Sequence, residues 1–206
     1  PPSHAAPQAH PRSGPGPALD SDTLARTVRA AADGDDRAWA TLVAAYSKRV
    51  FALARSRCRT EALAEEITQS VFVTIATKLG SGHYAEQGKF EPWLFRVAMN
   101  RIRDEMRRQK RHATPTDPAV LSDARVAPEQ APGPDDRELA ALRDAMQGLN
   151  GPDREIVELR HHAGLSFAQI SETLGQPMGT VLARHHRALK KLRTMIENHA
   201  SMKEAG

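Results

Sequence analysis

Two proline-rich segments limit what this chain of 206 residues can fold into. Residues 1–21 are rich in Pro and Ala and poor in large apolar side chains, so they cannot offset the entropy of ordering, and we expect disorder. Repeated prolines in residues 113–135 favour an extended backbone and predict a flexible linker. Two folded units are therefore expected, at residues 22–112 and 136–197, with a tail at 198–206. We also expect the two units to move relative to one another in free solution.

Both units show the apolar spacing of amphipathic α-helices. No stretch alternates strongly enough with the period of two that marks a strand, whereas apolar residues recur at steps of three and four, as in Trp39, Leu42, Val43, Tyr46, Val50 and Leu53. Asp22, Thr60 and Ser166 stand where helix N-caps are expected, and Gly175 stands where a helix should end. The predicted fold class is all-α, with two small helical domains joined by a flexible proline-rich linker.

The stretch GLSFAQISETLGQPMGTV at residues 164–181 predicts a helix-turn-helix. A short helix ends at the break GQP, and a second helix should run from about Pro177 to Ile196. The first helix braces the second, which can then enter the major groove of DNA. A solvated basic face on an ordinary helical hairpin is the alternative. The predicted DNA contacts are N-terminal backbone groups, where phosphate is favoured, and outward cations: Gly179, Thr180, Arg184, Arg187, Lys190 and Lys191.

Charge and composition exclude several classes of function. The formal net charge of +4 suits an anionic partner such as nucleic acid. The single cysteine, Cys58, excludes a disulfide framework and is expected to be a half-buried thiol. The sequence has no apolar run of about 20 residues, no phosphate-binding Gly-rich loop and no nucleophile motif with a nearby base. We expect a cytoplasmic chain that is not an enzyme, with no cofactor, no metal, no membrane insertion and no small-molecule substrate.

Residues 149–193 resemble the C-terminal domain of bacterial sigma factors of the extracytoplasmic-function type. The matching positions are Gly179, Thr180, Val181, Arg184, His186, Arg187 and Ala188. Residues 62–79 (ALAEEITQSVFVTIATKL) and 90–111 (FEPWLFRVAMNRIRDEMRRQKR) resemble the N-terminal domain of the same family. The resemblance covers nearly everything outside the two proline-rich segments. It implies an alternative sigma factor that binds core RNA polymerase, directs it to specific promoters and helps to melt the DNA.

The resemblance also assigns roles to the two units. Residues 22–112 would bind core polymerase through Glu65, Glu66 and Gln69, and would recognise and melt the minus-ten promoter element. His83 and Tyr84 lie in the segment that grips a flipped base in the family, and their planar rings could hold such a base. The long basic helix would contact the same element through Asn100, Arg103 and Arg107. Residues 136–197 would recognise the minus-thirty-five element. The implied partners are core RNA polymerase and promoter DNA, and the resemblance leaves an anti-sigma factor open as a further partner.

The chain departs from the family pattern in its last helix. Leu182 and Ala183 stand where the family usually has Lys-Ser, and His185 stands where a core leucine is usual. His185 is therefore expected to be largely buried and neutral, although a helix rotation that exposes it stays open. The pairs His161–His162 and His185–His186 do not predict zinc, because adjacent helical residues point apart and no further ligand stands at a familiar spacing.

Two other classes of protein compete with the sigma-factor interpretation. A DNA-binding regulator that never contacts polymerase would explain residues 149–193, but not the acidic helix or the signature Trp93–Asn100–Asp104. An antagonist that mimics a sigma factor would not need the basic helices. No group of residues in the sequence supports a catalytic function.

Overall fold

The structure is a computed structural model that describes residues 19–58, 60–112 and 134–204. Within these residues it contains α-helices and no strands, which confirms the all-α prediction. The N-terminal unit contains α1 (Ser21–Ala32), α2 (Asp36–Arg55), α3 (Glu61–Gly80) and α4 (Phe90–His112). The C-terminal unit contains α5 (Pro134–Gln147), α6 (Gly151–His161), α7 (Phe167–Leu174) and α8 (Met178–Glu204). Most of the predicted disordered segment (1–21) and linker (113–135) lies outside the described residues, at 1–18 and 113–133. The disorder prediction was wrong at its C-terminal end, because Asp20 caps α1, which begins at Ser21.

Local capping determines where most of the helices begin. The Thr60 and Ser166 side chains cap α3 and α7 as predicted, and Ser166 forms a reciprocal capping box with Gln169. The cap of α1 was predicted wrongly: Asp20, not Asp22, accepts the bond from the Thr23 N–H, at 2.9 Å. Asp22 instead lies in the first turn, where a negative charge favours the helix dipole.

The C-terminal unit differs from the prediction at both ends. Helix α5 begins at Pro134, two residues before the expected boundary, because proline is tolerated in the first turn of a helix. Helix α8 continues to Glu204, past the expected end at Ile196. Its extension contains neither glycine nor proline to stop it.

Each unit has apolar residues buried at its centre. In the N-terminal unit Tyr46 is buried and meets Phe90 and Phe95 edge-on, with ring centroids 5.6 and 6.5 Å apart. Cys58 belongs to this core, and it is more buried than the sequence suggested. Burial raises the pKa of its thiol to about 11. A smaller cluster joins α5, α6 and α8: Ala145, Leu149, Val157, Ala188 and Leu192.

The N-terminal core continues without a break into the C-terminal unit. Ile156, Leu159, Leu165 and Ile170 belong to the same buried cluster as the aromatic residues of α2 and α4. Helix α4 packs against α7, and this pairing joins the two units. The two units are therefore packed together in this structure, which the linker composition did not predict. None of the described helices has the length and apolar content needed to cross a bilayer.

Candidate nucleic-acid and protein interfaces

Helices α7 and α8 form the predicted helix-turn-helix. Gly175 ends α7 in the left-handed conformation, with φ at 63°, which glycine adopts without steric cost. The turn is closed by the Ser171 hydroxyl, which donates to the Gln176 carbonyl at 2.5 Å. Val181, Ala188 and Leu192 of α8 are buried on its inner side, as expected for a helix that presents its opposite face to solvent.

The outward face of α8 carries most of the predicted DNA-binding residues. Gly179, Arg187, Lys190 and Lys191 are exposed, whereas Thr180 is half-buried. Arg184 is also half-buried, so it and Arg187 are not equally accessible. The Lys191 ammonium donates to the Gly148 carbonyl at 2.9 Å, where the last turn of α5 presents free carbonyl groups. The structure thus brings these residues to one helix, and Lys191 also contacts a neighbouring loop.

Apolar residues flank the cations of α8. Leu182 and Leu189 keep 43% and 42% of their surface exposed, one heptad apart, and Ile196 follows at the same spacing. Sequence reasoning noted the departure at Leu182 but not this stripe. The spacing of seven residues between Leu182, Leu189 and Ile196 could have indicated that these side chains share one face of the helix.

His185 is half-buried, which is less than the sequence predicted. Its ring meets Phe167 edge-on at 5.0 Å, and its Nε2 lies 3.5 Å from Nε2 of His161 on α6. Burial and neighbouring cations, among them Arg160, lower the pKa of His161 and His185 and favour the neutral rings. Within the described residues, no three His, Cys, Asp or Glu side chains are grouped to hold a metal.

The loop between α3 and α4 carries the two rings predicted to hold a base. His83 is exposed, with Nδ1 2.6 Å from the Ser81 hydroxyl. Tyr84 is half-buried and stacks on Trp93 at 4.1 Å between centroids, and its hydroxyl donates to Glu86 at 2.9 Å. Burial and that bond raise the pKa of Tyr84.

A cleft of about 170 Å³ opens beside this loop. It is lined by residues of the loop, of α4 and of α7, among them Tyr84, Lys89, Trp93, Arg96 and Glu172. Sequence reasoning assigned Trp93 to the core, and the ring does pack against it while one face meets Tyr84.

Helix α4 places Asn100, Arg103 and Arg107 along one basic surface. Asn100 and Arg107 are exposed, and Arg107 pairs with Asp104. Arg103 is half-buried because its guanidinium binds the Glu155 carboxylate of α6 through two bonds of 2.9 and 2.8 Å. That pairing raises the pKa of Arg103. The C-terminal unit therefore covers one of the predicted DNA contacts.

Helix α3 presents Glu65, Glu66 and Gln69 on its exposed side. One turn after Gln69, Val73 is 66% exposed. The sequence signal for Val73 was its phase, since it falls outside the buried series Ile67, Val71 and Ile75. This side of α3 combines carboxylates with one apolar group, which is a composition suited to a protein partner.

Comparisons with known proteins identify the family. The chain matches Sigma-70 region 2 over residues 42–112 and Sigma-70 region 4 over residues 145–194. It is 32% identical to the ECF RNA polymerase sigma factor SigE of Mycolicibacterium smegmatis over 88% of this chain and 71% of SigE. It is 33% identical to the RNA polymerase sigma factor CarQ of Myxococcus xanthus over 80% of this chain and 92% of CarQ.

A solved structure shows the same architecture. CnrH in complex with the cytosolic domain of CnrY matches with a TM-score of 0.64 and 25% identity, over 86% of this chain and 99% of CnrH. The family matches fall on the two helical units described above, in the order that the sequence motifs predicted. The chain therefore belongs to the extracytoplasmic-function family of RNA polymerase sigma factors, and it directs RNA polymerase to promoters.

Proposed function

We propose that the two units divide the work of promoter recognition. Residues 22–112 bind core polymerase and recognise and melt the minus-ten element, while residues 136–197 recognise the minus-thirty-five element. The observation that carries this proposal is the helix-turn-helix, whose second helix buries Val181 and Leu192 and turns its cations outward. The chain contributes binding energy only, because polymerase forms the bonds, so it is not itself an enzyme. It acts in the cytoplasm, with the polymerase.

Upstream recognition is assigned to α8. Arg187 and Lys190 lie on the exposed side of α8, where they can meet base edges or phosphates, and Arg184 flanks them. The N–H groups at Gly179 and Thr180 face the backbone phosphates, as helix N-termini commonly do. Lys191 would also bind a phosphate, either by breaking its hydrogen bond to the Gly148 carbonyl or by keeping that bond and donating a second one.

Downstream recognition is assigned to the loop before α4 and to α4 itself. The stacked pair of Tyr84 and Trp93 forms an aromatic platform beside the cleft, and exposed His83 offers a second ring. Asn100, Arg103 and Arg107 would follow the displaced strand along α4. Stacking an unpaired base on such a platform favours the melted state over the duplex.

Polymerase docking is assigned to the exposed side of α3. Glu65, Glu66 and Gln69 set the charge and register of the contact, and Val73 adds an apolar anchor. We also propose regulation by a partner protein of the anti-sigma kind. Support comes from CnrH, which was solved with a domain of CnrY bound.

Run-off transcription on a promoter library with purified core polymerase tests this function. We expect transcripts from templates that share two spaced elements, and none when the chain is omitted. A DNA-binding regulator would instead bind duplex DNA without retaining core polymerase in a pull-down. An antagonist would retain core polymerase but produce no transcript.

A further inference from the structure

Charged and polar groups of the two units contact one another at three separate places. The first lies between α4 and α6. Arg103 binds Glu155 through two hydrogen bonds, and Arg57 donates from Nε to the Glu158 carboxylate at 2.6 Å. Glu158 has no solvent-exposed surface, and its second oxygen accepts from Arg154 at 2.6 Å. A carboxylate this deeply buried is stable only with such partners.

The second place lies between α2, α4 and the start of α7. Arg49 is buried and donates from Nε to the Ala163 carbonyl at 2.7 Å. Its Nη1 donates to Glu91 at 2.7 Å, and Glu91 also accepts from the Gln169 side chain at 2.5 Å. The same Gln169 forms the capping box of α7. The helix-turn-helix is thus fastened to α2 and α4 at the N-terminus of α7.

The third place lies at the other end of α7, in the cleft beside the base-holding loop. Arg96 donates to the carbonyls of Glu172 and Thr173 at 2.5 and 3.2 Å, where the helix dipole favours a cation. Lys89 pairs with the Glu172 carboxylate at 2.7 Å. The Glu172 carboxylate therefore binds Lys89, its backbone carbonyl binds Arg96, and both cations line the cleft.

The two other proposed binding surfaces stay open in this arrangement. Glu65, Glu66, Gln69 and Val73 of α3 are exposed, and so is Arg187 of α8. Of the proposed surfaces only the downstream one is covered in part, because Glu155 binds Arg103 and Glu172 pairs with Lys89, while His83, Asn100 and Arg107 stay exposed. The packing of the C-terminal unit on α4 would therefore hinder binding of the minus-ten element and leave the other two proposed contacts free.

We propose that the C-terminal unit is an autoinhibitory cover on the minus-ten surface of the free protein, with Glu155 and Glu172 occupying the positions of DNA phosphates. This inference rests on the proposed function of α4 and its preceding loop. In the covered state single-stranded DNA binds only the open fraction of molecules, which weakens its apparent affinity by that fraction. Core polymerase, which docks on exposed α3, can bind the covered chain first.

A zero-length carbodiimide cross-linker tests the cover in the full chain. It should join Lys89 to Glu172 in the free protein, because their charged atoms are 2.7 Å apart. A fluorescein-labelled oligothymidylate of about 20 nucleotides serves as the single-stranded probe. We expect the oligonucleotide to suppress the cross-link, and Glu155→Gln to bind the oligonucleotide about threefold to fivefold more tightly than the parent chain. DNA that merely shields Lys89 could suppress the cross-link without any opening of the cover. It would not make Glu155→Gln bind the oligonucleotide more tightly, because Glu155 touches neither Lys89 nor Glu172.

Two variants keep the result interpretable. Asp144→Asn makes the same charge change on an exposed carboxylate of α5, a helix that packs on α8, and should bind like the parent. Glu155→Arg is the stronger variant if Glu155→Gln opens the chain too little, and circular dichroism checks that both remain helical. Absence of the Lys89–Glu172 cross-link in the free chain overturns the inference and leaves the proposed function standing. Equal oligonucleotide affinity in the parent and both Glu155 variants also overturns it.

Failure of the proposed function gives a different result. If the cross-link forms but Arg103→Ala does not weaken oligonucleotide binding in the Glu155→Gln background, then α4 does not bind DNA. The packed arrangement would then be structural, and both the autoinhibitory role and the minus-ten assignment would be wrong.

Discussion

Arg49 of α2 donates from Nε to the carbonyl oxygen of Ala163, 2.7 Å away and 114 positions later in the chain. Its guanidinium also lies over the rings of Tyr46 and Phe95, at 5.0 and 5.1 Å from their centroids. One buried cation thereby contacts the aromatic core of the N-terminal unit and the backbone of the C-terminal unit. This contact therefore favours the packed arrangement of the two units.

We expect Arg49→Ala to lower the free energy of unfolding by about 2–4 kcal/mol, because it leaves Glu91 and the Ala163 carbonyl without their cationic partner. Urea unfolding followed by circular dichroism measures the change. Arg26→Ala, on the exposed side of α1, is the control and should stay within about 0.5 kcal/mol of the parent. An Arg49→Ala chain as stable as the control would show that the contact between the units contributes little.

We expect Arg187→Ala to weaken binding of the full chain to upstream-element duplex more than Arg184→Ala does, since Arg187 is exposed and Arg184 is half-buried. Loss of a phosphate contact should weaken all sequences alike and reduce the log–log salt slope by about 0.9. Loss of a base contact should cost about 1–3 kcal/mol on the preferred sequence alone. Fluorescence anisotropy at two salt concentrations separates these outcomes, with Lys78→Ala, at the exposed end of α3, as the control. Parent-like binding by both arginine variants would mean that the DNA-facing side of α8 has been misassigned.

We expect reversing the charge at Glu65 and Glu66 to weaken binding to core polymerase, because both carboxylates are exposed on the proposed docking side of α3. Val73→Ser should weaken the same contact about fivefold or more, since it removes an exposed apolar anchor. Duplex DNA binding should be unchanged in all of these variants. A pull-down titration with core polymerase measures the effect, and Asp144→Lys on α5 is the matched charge-reversal control. Unchanged polymerase affinity would exclude this surface.

We expect stability to fall as the pH drops from about 7 to about 5, in part through His161 and His185. Burial lowers the pKa of both below the ordinary value of 6.5, so the unfolded chain takes up protons before the folded one does. Arg160, His162 and His186 oppose protonation of the pair as well. His185→Leu should therefore flatten the pH dependence of the free energy of unfolding. Identical profiles for the parent and His185→Leu would rule the pair out as a source.

Much of the local structure and the family were predictable from the sequence. Ser166 with Gln169, Gly175 and the break GQP define α7 and its turn through bonds within a few residues of one another. The apolar step from Val181 to Ala188 and Leu192 predicted which side of α8 is buried. These predictions succeed because caps, turns and periodicity depend on neighbouring residues, and such information is present in any short window of sequence.

Partners across the two units were decided by the tertiary structure. Arg103 was predicted to face DNA, and nothing near it in the sequence indicated Glu155 as its partner, 52 positions away. Arg49 and Ala163 are likewise distant, and His185 is only half-buried because α6 and Phe167 meet it on one side. Periodicity shows that a helix face is covered, but it does not say which surface covers it. Charge complementarity between distant helices acts through space, and only the folded chain brings those charges within a few ångströms.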